Sequence, residues 1–174
     1  MPEPYKDKER LVSNLSKFIM GSNKEAIEEL SNAICLMDDA QNLGSIMKFN
    51  ISERTRNIVA VRMDEYEKEN FLSENIAGLM PYMRIILSLT QKYSALVMNP
   101  PYMGGGNMNA TLSKYVKDNY EEGKADLATV FVEMMPHRLV ENGKYAYIIP
   151  PSWMFLSTFE SLRKKIIERN KIDS

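Results

Sequence analysis

Apolar residues along this chain fall into two regimes. Up to about residue 92 they recur at helical spacing, and beyond it short continuous apolar runs alternate with helical stretches. Arg10 to Met20 reads as a short helix ended by Gly21. Ser22 and Glu25 have the spacing of a capping box, opening a helix with Ile27, Leu30, Ile34 and Met37 on one face. The run Ile58-Val59-Ala60-Val61 fits a strand or a helix, and periodicity leaves both open. Phe71 to Tyr93 is helical in pattern but contains Pro81, which predicts two helices meeting near Met80. Residues 1–92 thus read as a mainly helical segment packing on a sheet that begins at residue 93.

The second regime starts with Ala95-Leu96-Val97-Met98, a run that predicts a buried strand, stopped abruptly by Asn99-Pro100-Pro101-Tyr102. Leu127, Val130, Phe131, Met134 and Met135 follow at helical spacing after Lys124-Ala125-Asp126. Asn142-Gly143 then breaks the chain, and Lys144 to Ile149 predicts another buried strand, again ended by two prolines, Pro150 and Pro151. Ser157 and Glu160 form a second capping-box pattern ahead of Phe159, Leu162, Ile166 and Ile167 on one helical face. The order is strand, site loop, helix, strand, loop, helix. A right-handed crossover makes the two strands, near 95–98 and 144–149, parallel, and the fold class is α/β.

The tetrapeptide carries the chemistry. Proline has no N–H to continue a ladder, and it holds the residue before it extended. Asn99 is therefore fixed at a strand's carboxyl end, where open α/β sheets place their ligands. The Asn99 side-chain oxygen and the Pro100 carbonyl are two acceptors that could take the two N–H groups of an exocyclic amine. Drawing those hydrogens toward a tetrahedral arrangement frees the nitrogen lone pair for attack. Tyr102 can stack on a planar base, and a base reached in this way has left its helix. The competing structural reading is a rigid Pro-Pro-Tyr turn started by an ordinary Asn99.

With these residues in place, the chain resembles the amino-group methyltransferases that use S-adenosylmethionine, especially those acting on adenine N6 in DNA, whose hallmark is Asn-Pro-Pro-Tyr after an apolar strand. Asp126-Leu127 with Phe131, then Gly143-Lys144, is similar to the next motifs of that family in order. The stretch Ser152 to Arg163 resembles more narrowly the large adenine methyltransferases of bacteriophage-exclusion (BREX) defence systems, the PglX group. The resemblance covers about residues 90–170. It implies a partial Rossmann-like methyltransferase sheet, with 93–174 as the C-terminal half of a catalytic domain. It further implies that Asn99, Pro100, Pro101 and Tyr102 grip the flipped adenine of double-stranded DNA. Asp126, Leu127 and Phe131 would wall the pocket for S-adenosylmethionine. The resemblance leaves one alternative acceptor open, a protein glutamine amide or an RNA guanine amine gripped by the same tetrapeptide, as in related methyltransferases. Trp153 and Phe155 read as hydrophobic anchors for the last helix.

One departure from the family pattern changes the expectation. A strand followed by a glycine-rich turn should precede Asn99 to cradle the cofactor, yet Gly21, Gly44 and Gly78 stand alone. The cluster Gly104-Gly105-Gly106 comes after the tetrapeptide and reads as a hinge for the site loop. The chain is therefore expected to be a segment of a larger enzyme, inactive alone, with weak or absent binding of S-adenosylmethionine. A non-catalytic, self-associating fragment is the alternative. Without its usual neighbour, the 95–98 strand would expose an edge, which predicts a homodimer covering it.

Composition adds limits. The 174 residues carry 22 Lys and Arg against 23 Asp and Glu, a net charge of −1, without the basic excess of a self-sufficient DNA-binding domain. Arg163, Lys164, Lys165, Arg169 and Lys171 cluster late in the chain and fit either phosphate contacts or a solvated helix face. No apolar run is long enough to span a membrane and no leader pattern opens the chain, so a cytoplasmic protein is expected. Cys35 is the sole cysteine and is expected as a buried thiol. His137 is the sole histidine, expected at the surface or as a cap, and no metal site is predicted.

Overall fold

The computed structural model describes residues 5, 7–21, 23–68 and 73–170. The chain divides into two compact units, Met1–Gln91 and Lys92–Ser174.

The first unit is helical. Helix α1 (Lys8–Phe18) is capped by the Asp7 carboxylate, which accepts from the Arg10 N–H at 3.0 Å. Helix α2 (Lys24–Leu36) is capped by Asn23 Oδ1, at 3.2 Å from the Ala26 nitrogen. The expected Ser22 cap lies outside the described residues. A short α3 (Ala40–Leu43) precedes α4 (Glu53–Lys68). The ambiguous 58–61 run is therefore helix, because Thr55, Val59, Met63 and Tyr66 fall on one stripe and are buried while Val61 is 57 % exposed. Helix α5 (Glu74–Ala77) and helix α6 (Met80–Thr90) split where Pro81 requires, with the proline in the first turn of α6. Phe71 lies outside the described residues, and the helical pattern stops at Thr90, three residues short of the predicted limit, Tyr93. The core holds Leu11, Leu15 and Phe18 of α1, Leu30 and Ile34 of α2, and Met83 of α6, all inaccessible to solvent. Phe18 stacks on Tyr66 at 5.5 Å, and Arg62 lies 4.8 Å from the Tyr66 ring centre while its Nε donates to the Phe18 carbonyl at 2.9 Å. Cys35 is half-buried rather than buried.

The second unit is α/β. Strands β1 (Tyr93–Met98) and β2 (Leu139–Tyr147) pair in parallel, as the crossover argument requires. Both differ in extent from the sequence reading. Tyr93 belongs to β1 instead of the preceding helix, and β2 begins before the Asn142-Gly143 break. The register explains the second difference: Tyr93 pairs with Leu139 but Ala95 with Lys144, so β2 makes an excursion between these points. Asn142 sits there at φ 61°. A Cβ on Gly143 would lie 3.0 Å from the Val140 carbonyl oxygen, a close approach that glycine makes without crowding.

Between the strands lie α7 (Ala110–Asn119) and α8 (Leu127–Met134), with α9 (Ser152–Phe155) and α10 (Glu160–Arg169) after them. Helix α7 falls in what the sequence reading leaves as loop. It is opened by Asn109 Oδ1 on the Leu112 N–H at 2.9 Å and buries only Leu112 and Val116 of its own residues. The predicted Ser157/Glu160 capping box does not form. Ser157–Phe159 make a 3₁₀ turn, and Glu160 pairs with Lys164 at 2.8 Å instead. Phe159, Leu162 and Ile166 pack with Val132 of α8, under Tyr147, Ile149 and Trp153, whereas Ile167 is 67 % exposed.

Only one face of the sheet is covered. Leu96, Met98, Tyr145 and Tyr147 are half-buried, but Ala95, Val97, Ala146 and Ile148 are exposed, Val97 to 82 %. The two strands therefore do not form the fully buried sheet that their apolar runs predict. Among the described residues no strand pairs with the outer edge of β1.

The turn into α8 is tight. A Cβ on Gly123 would stand 2.5 Å from the Thr129 carbonyl oxygen and 2.8 Å from the Val130 nitrogen, both backbone. Gly104 has open space and an ordinary φ of −62°. Gly123→Ala should therefore destabilise the unit by about 1–3 kcal/mol, while Gly104→Ala should be near neutral. Thermal melting of the two variants side by side checks this.

Candidate active site

Two proline-terminated strand ends lie side by side. Met98 pairs with Tyr147, and the ladder continues one step past β2, where the Ile148 N–H donates to the Met98 carbonyl at 3.1 Å. Asn99-Pro100 and Ile149-Pro150 thus leave the sheet together, at the carboxyl ends of parallel strands. Pro100 is buried, while Asn99 and Pro101 are exposed and Tyr102 is 55 % exposed. The Tyr102 hydroxyl lies 2.8 Å from Asn99 Oδ1 and 3.1 Å from the Ile148 carbonyl oxygen. The tetrapeptide therefore folds back on itself and onto the end of β2. Its amide oxygen and aromatic ring sit at one surface.

The chain after Tyr102 is tied to the start of α8. The Leu127 N–H donates to the Met103 carbonyl at 2.8 Å, the Gly105 N–H donates to the Ala125 carbonyl at 2.8 Å, and Gly104 bridges Asp126. The three-glycine run is thus an anchor rather than the expected hinge. None of its residues has a positive φ, and a Cβ on Gly105 would approach the Ala125 oxygen to 3.3 Å. Through this connection the structure places Asp126 and Leu127 next to the loop that carries Asn99 to Tyr102. Asp126 caps α8, its carboxylate accepting from the Ala128 N–H at 2.8 Å. Leu127 is buried and Phe131, one turn further on, is half-buried.

Several supporting residues escape sequence reasoning. The Glu133 carboxylate accepts from the backbone N–H of Gly123 at 2.7 Å and of Glu122 at 3.2 Å, and Thr129 Oγ1 lies 2.7 Å from the carbonyl oxygens of both Gly123 and Asp126. These contacts fix the turn before α8, and only the spacing of Thr129 from Asp126 hints at them. Tyr145 stacks on Tyr147, and Tyr147 meets Trp153 edge to face at 6.3 Å. Burial pushes the Tyr147 hydroxyl up to about 12, so this stack stays uncharged at neutral pH.

The assignments around the last helix need correction. Trp153 packs against the core as an anchor, but Phe155 is 76 % exposed and anchors nothing. Helix α9 is a single turn, held by the Arg163 guanidinium at 2.7 Å from the Trp153 carbonyl and from the carbonyl of Leu156 just after it, and Phe155 stands on its exposed side. The basic cluster is partly occupied. Arg163 holds α9, Lys164 pairs with Glu160, and Lys165 pairs with Glu122. Burial raises the Glu122 carboxyl, but hydrogen bonds with Lys165 and Glu133, together with the Lys165 charge, outweigh it and hold the group below its ordinary value. Arg169 is exposed and Lys171 lies outside the described residues. His137 is exposed in a 3₁₀ turn, and its carbonyl accepts from the Lys92 ammonium. Among the described residues no group of three His, Cys, Asp or Glu is placed to hold a metal ion. No helix among them is long and apolar enough to cross a membrane.

The family model described as the Eco57I restriction-modification methylase matches residues 9–174. The chain belongs to this methylase family. It is 32 % identical over 149 residues to the adenine-specific methyltransferase PglX of Lacticaseibacillus casei (strain Zhang), covering 79 % of this chain and 12 % of that protein. It is 34 % identical over 142 residues to the adenine-specific methyltransferase BrxX of Escherichia coli O9:H4 (strain HS), covering 80 % and 12 %. A more distant relative is the type II methyltransferase M.AccI of Acinetobacter calcoaceticus, 30 % identical over 131 residues, covering 68 % and 24 %. The chain thus spans about an eighth of the length of the first two relatives, 12 % of each.

Within this methylase chain the cap on α8 is separable from any pocket role of the same residue. Asp126→Ala should cost roughly 1 kcal/mol through the lost cap, and Asp126→Asn much less, because an amide oxygen still accepts from Ala128. Chemical denaturation of both variants measures the difference.

Proposed function

We propose that this chain carries the base-gripping half of an adenine-N6 DNA methyltransferase that uses S-adenosylmethionine, and that the parent enzyme acts on double-stranded DNA with a flipped adenine. The observation that supports this most is the placement of Asn99 and Pro100 at the carboxyl end of a parallel strand. Tyr102 stands beside them with its ring at the surface. In the proposed reading, the Asn99 and Pro100 oxygens supply two acceptors and the Tyr102 ring a stacking plane. The names of the relatives, adenine-specific methyltransferases, favour adenine as the base. The PglX and BrxX likeness suggests a phage-exclusion role for the parent, in the cytoplasm.

In this reading Asn99 Oδ1 and the Pro100 carbonyl take the two N–H groups of the amine. Drawing the two hydrogens toward a tetrahedral arrangement, while they stay bonded to the nitrogen, makes its lone pair available for attack on an electrophilic methyl group; one of the two protons leaves the nitrogen after the transfer. Tyr102 holds the base by stacking, worth about 1–3 kcal/mol. Pro100 is buried, so its carbonyl has little freedom to turn away.

Weak or absent binding of S-adenosylmethionine by this chain alone is part of the proposal. The Gly105 N–H serves the Ala125 carbonyl, and the Asn107 and Met108 N–H groups serve the carbonyls of Gly104 and Gly105, so these three donors are engaged within the loop. Asp126, Leu127 and Phe131 are proposed only as one wall beside the cofactor, with Asp126 already engaged as a cap.

Asn99→Ala in the full-length parent should lower DNA methylation by at least about a hundredfold while cofactor affinity is unchanged. Methylation at the normal rate by that variant would remove the role assigned to Asn99. Calorimetric titration of the 174-residue chain with S-adenosylmethionine should show no saturable binding. Tight stoichiometric binding would overturn the expectation of weak or absent binding.

A further inference from the structure

We propose that the Tyr102 hydroxyl is a positioning group for Asn99, a two-position rotor that holds the amide oxygen in place and releases it to the incoming amine. The inference rests on the base-gripping reading above and adds to it a function for the hydroxyl, which stacking does not use.

A phenol has one hydrogen to donate. Two oxygens lie within reach of it, Asn99 Oδ1 at 2.8 Å and the Ile148 carbonyl at 3.1 Å. Both distances fit a hydrogen bond, but the single hydrogen points fully at only one of them. With the hydrogen on Asn99, the amide oxygen is pinned and partly neutralised. With the hydrogen on Ile148, the full acceptor strength of Asn99 Oδ1 is available to another donor. Moving between the two states is a rotation about the C–O bond of the phenol. It leaves the ring, and therefore the stacking plane, where it was.

The surroundings make this a device rather than a chance contact. Ile148 is fixed by its own N–H on the Met98 carbonyl at 3.1 Å, so the second acceptor is anchored to the strand that carries Asn99. Asn99 and Tyr102 are both exposed, and the hydroxyl is the hydrogen-bond partner that holds the Asn99 amide oxygen. An exposed amide without that restraint samples several rotamers and presents its N–H₂ as often as its oxygen. An amine donor arriving at Asn99 Oδ1 would displace the hydroxyl hydrogen onto Ile148, and no polar group is left unpaired by the exchange.

The test uses the full-length parent enzyme with Tyr102→Phe, Tyr102→Ala and Asn99→Ala, on duplex DNA with 2-aminopurine at the target adenine. Tyr102→Phe keeps the ring. It should leave the melting temperature, the DNA affinity and the flipping fluorescence at their normal values and lower the single-turnover methylation rate roughly tenfold, the worth of one lost positioning hydrogen bond. Tyr102→Ala should lose flipping fluorescence as well as rate. A Tyr102→Phe rate at or above normal overturns the proposal, and so does a loss of flipping equal to that of Tyr102→Ala. If Asn99→Ala abolishes methylation while Tyr102→Phe does not slow it, only the rotor falls. If Asn99→Ala methylates normally, the base-gripping reading falls and takes the rotor with it.

Discussion

The second unit depends on one constraint, the parallel pairing of β1 with β2 up to the residue where each strand meets its prolines. Ala95 to Met98 pair one for one with Lys144 to Tyr147, and the Ile148 N–H on Met98 adds a last rung. Proline cannot donate to a ladder, so Pro100-Pro101 and Pro150-Pro151 stop both strands within one residue of each other in the register. A slip of one residue would turn Val97 inward and Leu96 outward, and would also separate Tyr102 from Ile148. The alignment of the strands and the alignment of the loops are the same fact.

The inner face of the sheet holds this register. Tyr147 and Trp153 pack against Val132, Phe159, Leu162 and Ile166, and Tyr145 stacks on Tyr147, so α8 and α10 bear on β2 from one side. The site loop is secured separately, by main-chain bonds from Met103 and Gly105 to residues 125–127 and by the Glu133 and Thr129 contacts behind them. A rigid sheet end and a rigid loop anchor leave Asn99 and Tyr102 as the exposed groups between them. Binding sites commonly combine a fixed scaffold with a few exposed functional groups in this way.

Much of this was legible in the residues. The α/β class, the parallel strands, the helix from Leu127 and the split at Pro81 all follow from period and proline position. The failures have local physical causes. Helix α7 buries only Leu112 and Val116 of its own residues, too weak a stripe to stand out from a polar loop. The Asn142-Gly143 pair looked like a break between elements, and it is a turn inside one strand. Phe155 looked like an anchor because it is aromatic, but α9 is a single turn and Phe155 stands on its exposed side. At the site, the tetrapeptide gave the acceptors and the ring. It could not give the partner of the tyrosine hydroxyl, because Ile148 is 46 residues away and contributes only a carbonyl that every residue has.

The excursion at the start of β2 has a consequence for how this unit can vary. Extra residues enter between Leu139 and Lys144, where Val140, Glu141 and Asn142 are exposed, and the pairing is restored before the strand reaches its proline end. Additions or losses of length there are absorbed upstream of the ladder. The segment therefore works as an expansion joint: related chains can differ in length at this point, and exposed turns of this kind tolerate insertion, without moving the two loop ends by a single rung.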